Sequence, residues 1–358
     1  MNKICITLGT RPEIIKLSPI IRELDHQGVD FFVVHSGQHY STNLDSLFFE
    51  ELNLPNPDYN LQVGSGSHSY QTSNILSKIE PILLEEKPDI MVVQGDTNTV
   101  LSGALAASKL NIKVAHVEAG LRSFDRNMPE EINRILTDHI SDYLFCPTEE
   151  SKVNVLKEGI SPEKIFVTGN TVVDALYKNE KLSNKSRILE RFQLVKGEYF
   201  LCTVHRQENV ESSKRLKQII YSLNKVSLFF SLKIIFPVHP RTKKRINELG
   251  IDTSNIEMVE PLGYLDFLCI CSNSKLVFTD SGGIQEETCI LGVPCITLRD
   301  NTERPETIAV GSNILSDASE VSLIKNSQHL LSNDKGWLNP FGDGTASKRI
   351  IEIISDIQ

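Results

Sequence analysis

Three carboxylates in this chain stand where acid and base groups are useful: Asp96 in QGDTNTV, Glu118 in HVEAGLRS and Glu130 in MPEEINR. Carboxylates at the end of an apolar strand are costly to desolvate, and that cost is repaid when they move protons. Each also has an ordinary use. Asp96 can cap the helix that follows it, and Glu130 can sit at a helix N-terminus or pair with Arg134 four positions on. Spacing alone does not bring the three together. A metal site is the rival reading of such a set, but no Asp-x-Asp pair or histidine cluster accompanies it, so no metal is expected.

Basic and glycine-rich stretches supply a matching anion chemistry. GTRPEIIK (9–16) carries Arg11 and Lys16, with Pro12 suited to a first helical turn where its missing N–H costs nothing. Both cations can approach one anion only if Arg11 lies in the loop rather than the helix. Arg304 in TERPE repeats the Arg-Pro arrangement and could clamp a phosphate bidentately. TDSGGIQEE (279–287) has the features of an anion-binding helix start. Gly282 and Gly283 permit close backbone approach, Ser281 can donate or cap, and the unpaired amides favour phosphate. A plain strand-to-helix turn would use the same residues. Glu287, one helical stretch later, could reach a ribose diol. His205 in TVHRQEN and His239 in PVHPR occupy equivalent strand ends, whereas His116 and His139 fall within strand or helix patterns and are weaker candidates.

The elements that must position these residues are those of parallel βαβ units. Apolar runs at 4–8, 31–36, 89–93, 113–117, 142–146 and 164–168 read as one set of strands, with helical patterns between them. The polar interval 177–186 reads as an exposed connection or hinge. A second set follows at 199–203, 233–238, 256–259, 276–279 and 294–298. Two doubly wound, Rossmann-like α/β domains are therefore expected, 1–170 and 171–344, with an amphipathic helix at 345–358. Open parallel sheets bind ligands beyond the carboxyl ends of their strands, which is where most of the residues above fall. Facing sheets would bring the basic, acidic and glycine-rich sets to one cleft. Walker A and GxGxxG sequences are absent, so a P-loop NTPase or an ordinary nicotinamide fold finds little support.

Length and composition bound the rest. At 358 residues two domains are the natural expectation, and a formal net charge of −9 argues against a nucleic-acid surface. The seven cysteines lie mostly in apolar patterns and lack the spacing of a zinc site. With no signal peptide and no apolar run near the roughly 18 residues a membrane span needs, the chain reads as a cytoplasmic protein without a membrane partner.

At these motifs the chain resembles the non-hydrolysing UDP-N-acetylglucosamine 2-epimerases of bacteria and archaea. GTRPEIIKLSP, QGDTNTV, HVEAGLRS, MPEEINR, GNTVVDAL, TVHRQEN, PVHP, TDSGGIQEE and TERPE occur in the family's order over nearly the whole length. The resemblance implies a GT-B-like fold of two Rossmann-like domains, the C-terminal helix returning to the first, and a homodimer. It implies interconversion of UDP-N-acetylglucosamine and UDP-N-acetylmannosamine, without a cofactor, by loss of UDP and of the C2 proton to 2-acetamidoglucal and their return. By motif position Asp96, Glu118 and Glu130 match the family's catalytic carboxylates and His205 a histidine beside the leaving group. Arg11, Lys16 and Arg304 match basic cleft residues, Ser281, Gly282, Gly283 and Glu287 the diphosphate and ribose site, and Phe267 the uracil pocket, although YLDFL also reads as a helix face packed in the core. Gln38, His39 and His239 resemble part of a second, activating nucleotide-sugar site found in some members. Tyr70 stands where those members carry arginine, which removes a bidentate phosphate donor.

Overall fold

In the computed structural model, residues 3–38, 48–333 and 336–356 are described. The chain divides into two compact units, residues 1–177 with 341–358, and residues 178–340. The first sheet holds β1 (Ile4–Leu8), β2 (Phe31–His35), β3 (Tyr59–Asn60), β4 (Ile90–Gln94), β5 (Lys113–Val117), β6 (Tyr143–Cys146) and β7 (Ile165–Val167), in the order β3-β2-β1-β4-β5-β6-β7. The second holds β8 (Tyr199–Thr203), β9 (Lys233–Pro237), β10 (Ile256–Val259), β11 (Leu276–Thr279), β12 (Cys295–Thr297) and β13 (Asn313–Leu315), in the order β10-β9-β8-β11-β12-β13. Every pairing in both sheets is parallel.

The central strands β1, β4, β8 and β11 are buried from end to end because helices cover both faces, so their sequences are largely apolar runs rather than alternating. In the first unit Val34, Met91, Val93 and Val114 pack on Ile75 and Ile79 from the helix His68–Glu86 and on Ala104 and Ala107 from the helix Asn98–Lys109. In the second, Phe200, Phe236 and Phe278 pack on Leu216, Ile220 and Leu223 from the helix Ser213–Phe230.

Each sheet order reverses at its founding strand. In the first unit β1 lies between β2 and β4, and in the second β8 lies between β9 and β11. The loops after β1 and β4 diverge to opposite sides there, as do those after β8 and β11, leaving the crevice where such folds bind ligands. The loops of the first crevice carry GTRP and GDT, and those of the second His205 and Asp280-Ser281.

Three sequence expectations change. Two short edge strands, β3 and β13, are additional, so Asp96 follows the fourth strand and Glu118 the fifth. The expected hinge at 177–186 is largely helix, since Thr171–Ser183 is continuous. The first unit also reaches Tyr177 rather than stopping at 170. Val172, Val173, Ala175 and Leu176 are buried, and the Asp174 carboxylate accepts from the backbone amides of Ala346 (3.2 Å) and Ser347 (2.9 Å) at the start of the helix Ala346–Ser355. That last helix packs on Arg11–Gln27 in the same unit.

Candidate active site

The helix Arg11–Gln27 begins at a capping box formed by Thr10 and Glu13. Arg11 is thus in the first helical turn rather than in the loop, with its guanidinium 5.1 Å from the Phe48 ring. Glu13 does more than cap: one carboxylate oxygen accepts from the amides of Gly9 (2.6 Å) and Thr10 (2.8 Å), the other from the Thr97 hydroxyl (2.5 Å). Glu13 therefore ties the loop after β1 to the loop after β4. Its complete burial pushes the carboxyl up to about 7, against hydrogen bonds that pull it down. Thr97, not Asp96, is the helix N-cap, its hydroxyl facing the Val100 amide at 3.4 Å.

Asp96 is instead paired with Arg134 at 2.5 Å, and Arg134 is held in turn by Glu131 at 2.8 Å. Arg134 thus joins Glu131, three positions back, rather than Glu130. The buried Glu131 carboxylate also accepts from the Ser123 amide and hydroxyl and from the Phe124 amide, closing the loop that leads into the helix Pro129–Ile140. Glu130, half-buried in the first turn of that helix, makes no hydrogen bond or ion pair with the described residues.

Glu118 has a backbone conformation that the sequence does not announce. Its φ is 69°, a region that costs a non-glycine residue about 1–3 kcal/mol and that clusters at functional sites. The amides of Glu118 and Ala119 both donate to the Phe145 carbonyl at 3.1 Å, which holds the turn. Lys16 Nζ (2.5 Å) and the Gln94 side-chain amide (2.6 Å) both donate to Glu118 Oε2, and all of this is buried. Lys16 therefore serves a carboxylate, while Arg11 lies over an aromatic ring.

In the second unit Asp280, fully buried at the end of β11, organises the opposite loop. It accepts from the amides of His205 (3.1 Å) and Arg206 (3.0 Å) and from the Asn209 side chain (3.0 Å), and lies 3.2 Å from His205 Nδ1. Burial would raise this carboxyl; the His205 contacts, then Asn209 and the Arg206 amide, outweigh it and hold it below the usual range. The His205 ring itself stays half exposed.

Ser281 is the N-cap of the helix Gly282–Ile290. Its two glycines differ. A Cβ on Gly283 would meet nothing nearer than the Ser281 hydroxyl at 4.0 Å, so that backbone is open to an approaching group. A Cβ on Gly282 would lie 2.3 Å from Glu303 Oε1: the group approaching there is the protein's own carboxylate, paired with Arg299 at 2.9 Å and lying 3.5 Å from Arg206. Arg304 is buried and pairs with the buried Glu286 at 2.6 Å, on the same helix as Glu287, which is half-buried. Phe267 packs against the core cluster that includes Tyr199, Leu201 and Val277.

Of the residues resembling a second nucleotide-sugar site, Gln38 belongs to the first unit and His239 to the second. Gln38 is buried and accepts from the Thr99 hydroxyl (2.8 Å); His39 lies outside the described residues. His239 is exposed and caps the helix Pro240–Glu248, its Nδ1 accepting from the Arg241 amide at 3.3 Å. Partial burial, then Arg241 and His205, lower its pKa. Tyr70, half exposed, folds over Gly66.

Sequence reasoning did not single out Glu13, Glu131 or Asp138. Their importance lies in contacts between distant loops, which spacing along one helix or strand does not reveal. Among the described residues no group of three or more His, Cys, Asp or Glu side chains is arranged to hold a metal ion, and no helix is long and apolar enough to cross a membrane. All seven cysteines are buried free thiols.

Two units of parallel sheet flanked by helices, each with candidate site residues at its topological switch point, define an α/β protein of the GT-B-like class. The chain belongs to the UDP-N-acetylglucosamine 2-epimerase family, whose model matches residues 22–355. It is therefore an epimerase, hence an isomerase. A protein of Methanocaldococcus jannaschii named UDP-N-acetylglucosamine 2-epimerase is 56% identical over 361 residues, with 99% of each chain covered. The crystal structure of the M. jannaschii UDP-GlcNAc 2-epimerase in complex with UDP-GlcNAc and UDP matches with 57% identity, a TM-score of 0.92 and 99% coverage of both chains. A Pseudomonas aeruginosa protein named UDP-2,3-diacetamido-2,3-dideoxy-D-glucuronate 2-epimerase is 39% identical over 362 residues, covering 99% of this chain and 100% of the relative.

Proposed function

We propose that this protein interconverts UDP-N-acetylglucosamine and UDP-N-acetylmannosamine by inverting C2. The observation that carries the reading is the pair of buried or half-buried carboxylate clamps in the first unit, Lys16–Glu118 and Arg134–Asp96, each at 2.5 Å. Two acids on separate loops, each held in place by a cation, offer two positioned groups for proton removal and return at one carbon.

C2 of the sugar is not acidic, so the proposed route expels UDP from C1 while C2 loses its proton. The products, 2-acetamidoglucal and UDP, stay bound, and UDP returns to C1 as a proton is delivered to the opposite face of C2. Asp96, Glu118 and Glu130 are the proton-transfer groups in this reading, and their division of labour is open. Ser281, Gly283 and the first-turn amides of their helix donate to the diphosphate oxygens, with His205 beside the leaving group and Glu287 at the ribose. Phe267 is the proposed uracil neighbour and Arg11 and Arg304 the further basic residues. No redox chemistry is needed. The proposed assembly is a homodimer in the cytoplasm that supplies surface polysaccharide synthesis, carried over from the family resemblance.

A second reading has a specific observation behind it: the 39% identical relative named for a diacetamido uronate. Incubation with UDP-N-acetylglucosamine and with the UDP-diacetamido uronate, followed by proton NMR of the products, separates the two. Faster C2 inversion of UDP-N-acetylglucosamine supports the first; preference for the uronate replaces it with the second.

A further inference from the structure

Beneath the first unit's carboxylates lies a charged cluster. His116 in β5 and Asp138 in the helix Pro129–Ile140 are both fully buried, and His116 Nδ1 lies 2.7 Å from Asp138 Oδ1. His116 Nε2 lies 2.8 Å from the Gly95 carbonyl. Asp138 Oδ2 accepts from the Gly120 amide (3.1 Å) and from Arg122 (2.7 Å), and Arg122 is paired with Glu158 through two contacts of 2.8 and 2.6 Å. Both His116 nitrogens face oxygen acceptors, so both must carry hydrogen for both contacts to be hydrogen bonds. The cluster then balances two cations against two carboxylates, as buried charge requires.

The two backbone groups it grips are not arbitrary. Gly95 immediately precedes Asp96, and Gly120 follows Glu118 by two residues. Both glycines adopt positive φ, 87° and 81°, and a Cβ on Gly120 would lie 2.2 Å from the Ser151 carbonyl oxygen, so that turn is seated against neighbouring backbone. We propose that His116 and Asp138 form a positioning pair for the proton-transfer loops. The ring holds the Gly95 carbonyl and with it Asp96, while the carboxylate holds the Gly120 amide and with it Glu118. The pair touches no reacting atom. It acts by keeping the two acids in register, and its catalytic effect rests on the function proposed above.

The test combines spectroscopy with kinetics on the full chain. With ¹⁵N-labelled histidine at pH 7.5, His116 in the wild-type protein should show hydrogen on both ring nitrogens. In Asp138→Asn, where an amide donor can face the ring, Nδ1 should lose its hydrogen while Nε2 keeps it. Asp138→Asn and His116→Phe should each lower kcat for UDP-N-acetylglucosamine by about 100-fold, the loss expected for misplaced groups, with KM and UDP affinity changed less than about threefold. A wild-type His116 with one bare nitrogen, or an Asp138→Asn variant with unchanged kcat, overturns the proposal. Asp138→Asn carries the kinetic test if His116→Phe does not fold. Should the wild-type chain not turn over at all, the functional reading fails, and the protonation of His116 still decides whether the pair is assembled as described.

Discussion

Replacing Glu13 by Gln should remove a pH dependence of stability that the first unit otherwise carries. The carboxyl is fully buried and stands at about 7 against an ordinary 4.5, a separation worth roughly 3 kcal/mol. The native state binds this proton more tightly than the unfolded chain does. The associated stability is therefore fully present below about pH 4.5 and is lost as pH rises toward 7. In Glu13→Gln the amide oxygen can still accept from Gly9 and Thr10, and the amide nitrogen can donate to the Thr97 hydroxyl, so the shape of the site survives without the charge. Because the chain divides into two compact units, first-unit stability is best read locally, by native-state hydrogen exchange at the β1 and β4 amides between pH 5 and 8. The stability of the wild-type protein relative to the variant should fall as pH rises from 5 to 7, by an amount on the order of 2–3 kcal/mol, and then level off. A difference that stays flat over the whole range would refute the assignment of a raised carboxyl to Glu13.

Asp96→Asn, Glu118→Gln and Glu130→Gln should keep the fold, and at least two should lose about 10²–10⁴-fold in C2 exchange rate, as for a lost general acid or base; near-normal rates in all three would reject the carboxylate assignment. Lys16→Met removes the cation 2.5 Å from the buried Glu118 and should cost about 1.5–3 kcal/mol of first-unit stability, the worth of a charge-assisted hydrogen bond, measured by the same exchange experiment. The two glycines of the second unit should behave oppositely. Gly282→Ala drives a Cβ onto Glu303 and should destabilise by about 1–3 kcal/mol, whereas Gly283→Ala has room and should leave the melting temperature nearly unchanged. Any loss of UDP affinity in Gly283→Ala, read by calorimetry, then reports on the approach of the diphosphate rather than on the fold.

Much of this architecture was legible because parallel strands buried on both faces write themselves as apolar runs. The strands that carry Asp96, Glu118, His205 and Asp280 are all of that kind. β3, with two residues, and β13, with three of which the first is an asparagine, have too few apolar positions to show a pattern. The interval 177–186 misled because Lys178, Glu180 and Lys181 describe an exposed helix face as well as a loop. At the candidate site, residue type pointed to the carboxylates and the glycine-rich turn, but partnership did not follow from spacing. Arg134 joins Asp96 and Glu131 instead of Glu130, Glu303 fills the space over Gly282, and Glu13 bridges loops 84 residues apart in sequence. The left-handed backbone at Glu118 has no sequence signature, since a glycine would be the expected residue there.

The central claim is that the first unit's carboxylates move the C2 proton of a UDP-N-acetylamino sugar, and solvent exchange at that carbon tests it most directly. UDP-N-acetylglucosamine incubated with the protein in deuterated water should acquire deuterium at C2, with UDP-N-acetylmannosamine appearing alongside. Folded protein that binds UDP but leaves C2 unlabelled would contradict the account.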